Sequence, residues 1–468
     1  MSDYFYVGFE KKKFGKENNR SAWAKFAIIN SESRIASWKR EKEDGSETDG
    51  ENKPAVEPSS DEFHVVKYNF MKVHDDFFNQ MLSFAEISHL GHFTSLSSRQ
   101  FLIEEFSNNF IKNKSVNCDV EDDFTIYKLD RSHYSSVFRE FRLLEGKLDT
   151  ASNFSNILLM GLVSQFDSFI SSLIRELAIA KPHILTDSKK EYKAHEIFEF
   201  SNLDEFRDNL LEKEIGTILR ASHLEQIIWL EKKLNTSLRE DVSILPDYIE
   251  IFERRNLLAH TNCVVNEQYL KNCRVANFKS TAEVGDKIEI SLSYIEKSTE
   301  VLMEMGVRLT QTIWRIVAKD DIGENTNAGS VLLNTVFELL CHERYSVAKS
   351  ILIPALSGSY KYPDSVVECM LQINLATAHM LLDENDEAKR VVEQRDWRAY
   401  EPLIRIGVAA IKGETDTVVG LIPEIPEDKI SSQNYLEWPV FAKLREDQAF
   451  LGALKDRFGV VNIDQVVH

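Results

Sequence analysis

Apolar positions recur with a period near 3.6 along most of the chain, and the longest such runs predict helices. The clearest extends from Asn153 to about Ala180. Phe154, Ile157, Leu158, Leu162, Phe166, Phe169, Ile170, Leu173 and Leu177 share one face, and Pro182 stops the run. A second helix is expected over roughly Leu203 to Leu234, broken at Gly216. Pro246 opens a third, in the first turn where its missing N–H has no helical partner to lose. A less regular segment, Thr261 to Ile288, precedes a long last helix from about Ser291 to Val317. Upstream, Phe77, Met81, Phe84 and Ile87 share a helical face, and similar patterns cover Phe101 to Ile111 and His133 to Leu148. Two aromatic-rich runs near the start, Tyr4 to Phe9 and Trp23 to Ile29, are short enough to be strands. Residues 30–62 are polar, and Glu41 to Asn52 is almost wholly charged or small, as in a linker or surface excursion.

From about residue 328 the pattern changes to short helices in pairs. Arg344-Tyr-Ser-Val-Ala348 resembles the tyrosine–alanine half of a tetratricopeptide repeat. Leu381-Leu-Asp-Glu-Asn-Asp-Glu-Ala388 has the same tight turn and small packing alanine, and Ile411-Lys-Gly-Glu-Thr-Asp-Thr-Val418 supplies a third turn. The offsets are about 40 and then 30 residues, so the repeat is degenerate. The expected fold is mainly α. An N-terminal region, 1–148, mixes helices with short strands, a helical domain spans 149–322, and a helical-repeat domain spans 323–468.

Composition sharpens this. Only 18 glycines and 10 prolines occur in 468 residues, which favours long helices over a loop-rich all-β chain. Acidic residues outnumber basic ones 75 to 56, a net charge of −19, which excludes a protein that coats nucleic acid or anionic membrane by bulk charge. The five cysteines are odd in number and form no CxxC, so neither a disulfide framework nor a zinc knuckle is expected. No apolar stretch at the N-terminus suggests a signal peptide, and the expected compartment is the cytoplasm, with no membrane partner. Neither GxxxxGK[ST] nor GxGxxG occurs, so no nucleotide cofactor is expected, and no metal either.

One segment carries candidate chemistry: Phe252-Glu-Arg-Arg-Asn-Leu-Leu-Ala-His260. At about 100° per residue, Leu245, Tyr248, Ile249, Phe252 and Ala259 form an apolar stripe, and Asn256 falls on it. Arg255 and His260 border the stripe on either side, and Arg254 points to the back. Polar groups so placed are expected to be hydrogen-bonded or used. Leu257 and Leu258 lie on the opposite face, so the helix should be covered on both sides, with a second subunit as one candidate cover. His260 alone, near a helix end, reads most simply as a C-terminal cap. His89 and His92 read as a surface pair, because no carboxylate or cysteine stands at ligand spacing. The aromatic residues Trp397, Tyr400, Trp438, Phe441 and Phe450 read as helix packing.

Arg255-Asn256-Leu-Leu-Ala-His260 resembles the Arg-Asn-x-x-x-His motif of HEPN domains, and Val264 to Leu270 resembles what often follows it in bacterial members. The resemblance covers roughly residues 150–320. Thr261-Asn262-Cys263 departs from it, standing where a glycine often occurs. The resemblance implies a helical bundle that dimerises and brings two motifs together. It also implies a metal-independent endoribonuclease of toxin or phage-defence type, acting on RNA, with a regulatory or antitoxin protein as a further partner. His260 would be the general acid or base, since imidazole titrates near pH 6.5. Arg255 would offer its fork of donors to the phosphate. Asn256 would orient the imidazole or the nucleotide, and Asp167, on the first helix, is a candidate acidic partner for Arg255. The alternative is a noncatalytic HEPN-like scaffold that binds a partner through its helical repeats.

Overall fold

The structure is a computed structural model and describes residues 6–12, 22–29 and 68–459, apart from 122–123, 130–132, 187–192 and 241. It is mostly helical. The chain falls into two units, one comprising 1–65 with 423–435 and the other comprising 66–422 with 436–468. In the smaller unit, strands β1 (Tyr6–Lys12) and β2 (Ala22–Ile29) pair antiparallel, Tyr6 opposite Ile29. The charged segment Glu41 to Asn52 lies outside the described residues.

In the larger unit, α1 (Phe70–Glu104) leads into a second antiparallel hairpin, β3 (Ser115–Glu121) and β4 (Phe124–Leu129), which hydrophobic periodicity did not reveal. Helix α2 (Tyr134–Ser152) follows, then α3 (Phe154–Ala180), close to its expected bounds. The expected second helix is two: α4 (Leu203–Leu219) and α5 (His223–Leu234). Gly216 lies inside α4. The break falls instead at Ser222, whose side chain accepts from the Glu225 N–H while Glu225 reaches back to the Ser222 N–H, a capping box that starts a new helix. Helix α6 (Leu245–Thr261) has its proline in the first turn, α7 (Glu267–Val275) occupies the segment expected to be irregular, and α8 (Leu292–Val317) starts from an N-cap at Ser291.

Helices α1, α3, α6 and α8 form the bundle that carries the site. Phe77 sits between them, its ring 4.1 Å from that of Phe169 and 5.9 Å from that of Phe166. Burying such a ring stabilises by about 1.5–3 kcal/mol. Its seat requires Gly306 on α8, where a Cβ would stand 2.1 Å from the ring. Phe77, Met81 and Phe84 are buried as their spacing predicts, but Ile87 and, on α3, Ile157 are exposed. α3 is long and apolar enough by composition to cross a membrane, yet its apolar face is the centre of this bundle.

The core continues without a gap from α8 into paired helices. α9 (Ile322–Cys341) pairs with α10 (Tyr345–Pro354), α11 (Ser365–Leu381) with α12 (Asn385–Glu393), and α13 (Pro402–Lys412) with α14 (Thr415–Leu421). α15 (Gln448–Phe458) packs on α14. Each of the three turns contains one left-handed residue, Glu343, Asp383 and Gly413. Trp397, Trp438, Phe441 and Phe450 are buried in helix packing.

Candidate active site

The first half of α6 is fixed from three directions. Tyr248 and Phe252 pack on Phe166 of α3, with ring centroids 5.5 and 5.7 Å away. Glu250, only 2% exposed, accepts from the hydroxyls of Tyr269 on α7 and Tyr294 on α8, both at 2.8 Å, and from Arg254 Nε at 2.7 Å. Arg254 also stacks over Tyr294, 3.9 Å from the ring centroid. This arginine is structural, pointing to the back as its position predicts, paired through Nε with Glu250 and donating from Nη1 to Glu289 O at 3.4 Å. Burial and the neighbouring carboxylate push the Tyr269 and Tyr294 hydroxyl pKa values upward, so both remain donors.

The back face does not need a second subunit. Leu257 joins Val265, Tyr269 and Cys273 in a small buried cluster beneath α7 of the same chain. An antiparallel bridge between Val264 and Lys287 closes the loop around it, with Val265 N–H donating to Asp286 O at 2.8 Å.

The front stripe holds only halfway. Tyr248, Ile249 and Phe252 are buried, whereas Asn256 and Ala259, on the same azimuth, are exposed. Asn256 is therefore not a core-facing polar group, as the helical arithmetic alone implied. Periodicity fixes the direction a side chain takes, not where the covering helices stop. Viewed down the axis, Arg255, Ala259, Asn256 and His260 follow one another over about 140°. They form one continuous sector that is half-buried at Arg255 and exposed at the other three.

At the buried edge of that sector the structure brings Arg255 and Asp167 together, Nη2 to Oδ2 at 3.8 Å. It adds a residue that sequence reasoning missed. His223, the first residue of α5, meets Asp167 Oδ1 through Nε2 at 2.8 Å and lies flat on Phe252, with ring centroids 3.3 Å apart. A carboxylate only accepts, so Nε2 carries the proton. Burial holds the His223 pKa below its ordinary value. The hydrogen bond and charge of Asp167 oppose this, and Arg255 reinforces it. Asp167 thus bridges an uncharged His223 and the Arg255 guanidinium, whose buried Nε has no hydrogen-bond partner. Glu253, also unforeseen, has its carboxyl pKa raised by burial, against the influence of Asn272 and Arg255. The one local signal for His223 is the capping box that places it at a helix start.

His260 sits in the last turn of α6. Thr261 Oγ1 donates to Leu257 O at 3.0 Å or Val264 O at 2.8 Å, and the Cys263 N–H donates to Leu257 O at 3.1 Å. Asn262 and Cys263 are both left-handed, with φ of 52° and 63°. The departure from glycine in this loop is thus accommodated by backbone geometry that asparagine tolerates well. His89 lies 3.6 Å from Glu296, and among the described residues no cluster suited to a metal ion occurs. Comparison with protein-family models, with curated proteins and with solved structures gives no match.

Proposed function

We propose that this chain is a metal-independent endoribonuclease of a toxin or anti-phage defence system, working as a HEPN-like dimer with degenerate tetratricopeptide-like repeats attached. The observation that carries this reading is the Arg255–Ala259–Asn256–His260 sector, half-buried at Arg255 and exposed beyond it, on a helix with no other exposed residue. Unsupported polar groups at the end of a loop would scatter. Here a rigid helix holds a permanent cation and a titratable imidazole at fixed separation.

In the proposed reaction the RNA 2′-OH attacks the adjacent phosphorus and gives its proton to one His260. The P–O5′ bond breaks, and the departing 5′ oxygen takes a proton from His260 of the partner subunit. The products are a 2′,3′-cyclic phosphate and a 5′-OH. One imidazole per chain cannot fill both roles in one step, so the exposed sector is read as the face that meets a second copy. Arg255 neutralises the phosphate oxygens as charge builds. Asp167 and His223 are positioning residues, limiting the guanidinium to one approach. Asn256 holds the imidazole or the scissile nucleotide. Net charge of −19 disfavours bulk RNA binding, so the substrate is a selected RNA brought to a confined cationic cleft.

The test is incubation of the purified chain with total tRNA and rRNA in EDTA, with cyclic-phosphate ends scored. His260→Ala and Arg255→Ala are expected to lower cleavage by about 100-fold or more with unchanged melting temperature. Cleavage equal in all three proteins would overturn the assignment. So would its absence from all three, with dimers intact, and that outcome would favour the scaffold reading.

A further inference from the structure

Arg315 on α8 differs from the half-buried arginines of the bundle. Arg254 and Arg308 each contact a glutamate, at 2.7 and 2.8 Å. Arg315 is 8% exposed and has no carboxylate within ion-pair distance among the described residues. Its Nη1 donates to Lys361 O at 2.9 Å and its Nε to Gln311 Oε1 at 3.3 Å, while Nη2 has no partner. The guanidinium lies over Tyr360 and Tyr362, 4.6 and 5.0 Å from their centroids. A buried charge with no counter-charge is costly, and native proteins almost always answer it.

The setting suggests what answers it. Arg315 lines a cavity of about 460 Å³ between α8, the segment that follows α5, and the helix pair α9–α10. Arg308, Thr312 and Arg315 recur at intervals of four and three, which puts them on one face of α8, and Lys319 follows in the turn just past the end of that helix. All four line the cavity, and Glu240 is its sole carboxylate. In a chain of net charge −19 this is a local excess of positive charge. Arg308 is already paired, which leaves Arg315 and the exposed Lys319 for a ligand with two negative charges. Thr312 and Tyr360 add hydroxyls, with their oxygens 3.0 Å apart. The volume exceeds that of a lone phosphate and lies in the range of small-molecule sites, and Leu332 and Ile351 supply an apolar wall.

We propose that this cavity binds a phosphorylated small molecule of nucleotide size, its phosphate on Arg315 and Lys319 and its organic part against the apolar wall. No phosphate-binding motif announces the site, because the donors come from a helix face and the turn after it rather than a glycine-rich loop. The proposal does not depend on the ribonuclease reading, and its test contains no RNA.

The experiment is thermal melting of the full chain with inorganic phosphate, ribose 5-phosphate, AMP or ADP, in chloride of matched ionic strength. At concentrations about 100-fold above Kd, an organic phosphate should raise the melting temperature by about 3 °C, and inorganic phosphate by less. Arg315→Met should abolish the shift without lowering the melting temperature of the unliganded protein. Lys319→Gln, at an exposed position, should weaken binding about 10-fold and leave the fold intact. The proposal is overturned if none of the four probes stabilises, or if phosphate does so as well as the organic phosphates. It is equally overturned if Lys319→Gln binds like wild type, a comparison that holds even if Arg315→Met fails to fold.

Discussion

Within α6, the half from Leu245 to Glu253 and the half from Arg254 to Thr261 are held on different terms. In the first, Tyr248 and Phe252 fill the bundle core, and Glu250 ties α7 and α8 to the helix with two accepted hydrogen bonds and takes a third from Arg254. In the second, Leu257 still anchors the back, but the front sector from Arg255 to His260 emerges into solvent. The same azimuth that is core at Phe252 is surface at Asn256. A helix clamped over its first two turns can project polar groups from its last two with little freedom, which is what a reaction between fixed groups needs.

The largest effect should come from removing the clamp. Glu250→Ala leaves the Arg254 cation buried without an acid and two tyrosine hydroxyls without their acceptor. A loss of about 3–5 kcal/mol is expected, read as a lower urea midpoint. A wild-type midpoint would mean that the Glu250 network does not hold α6 in place, and the contrast between the two halves would lose its basis.

Acidification probes the boundary between the halves, where His223 lies on Phe252. Its pKa is held below the ordinary imidazole value by burial, against the pull of Asp167. His74 on α1, whose Nε2 meets Thr335 Oγ1 at 2.7 Å, is pushed down by burial to about 4. In both cases the unfolded chain binds the proton more readily than the folded one. Stability is therefore fully present above about pH 6.5 and declines as the pH falls toward the lower folded value. For His74 the span from 6.5 to about 4 corresponds to about 3 kcal/mol. The urea midpoint should fall across that window, and His74→Gln should flatten the slope. A midpoint that stays flat from pH 7 to pH 4 would contradict the buried, uncharged state of both histidines.

What could be read from the sequence follows from what is local. Pro182, Pro246 and Ser291 marked helix ends because capping and proline sterics act within one turn. The turns at Glu343, Asp383 and Gly413 were legible for the same reason. Asp167 was legible only as a candidate, since its contact with Arg255 bridges 88 positions. His223 and Glu253 were not legible, because their importance arises from burial, which depends on how α3, α5 and α7 come to rest. The hairpin of β3 and β4 was overlooked because helical periodicity on both sides masked two short strands. The emergence of α6 into solvent could not be derived from a repeating pattern that continues unchanged across the point where its covering ends.

The smallest effect tests whether the exposed half is fixed at its own end as well. Asn262 takes φ of 52°, where a Cβ meets the following carbonyl and asparagine is one of the few side chains tolerated. Asn262→Ala should cost about 1 kcal/mol through this strain, and Asn262→Gly should be neutral or slightly stabilising. Neither removes a group of the Arg255–His260 sector, so any change in RNA cleavage reports on geometry alone. If the last turn is pinned by the left-handed cap, alanine lowers both stability and cleavage while glycine preserves both. If instead alanine lowers stability and leaves cleavage at the wild-type rate, His260 is positioned by Thr261 and the Leu257 anchor, and the constraint on the site lies one turn closer to the clamp.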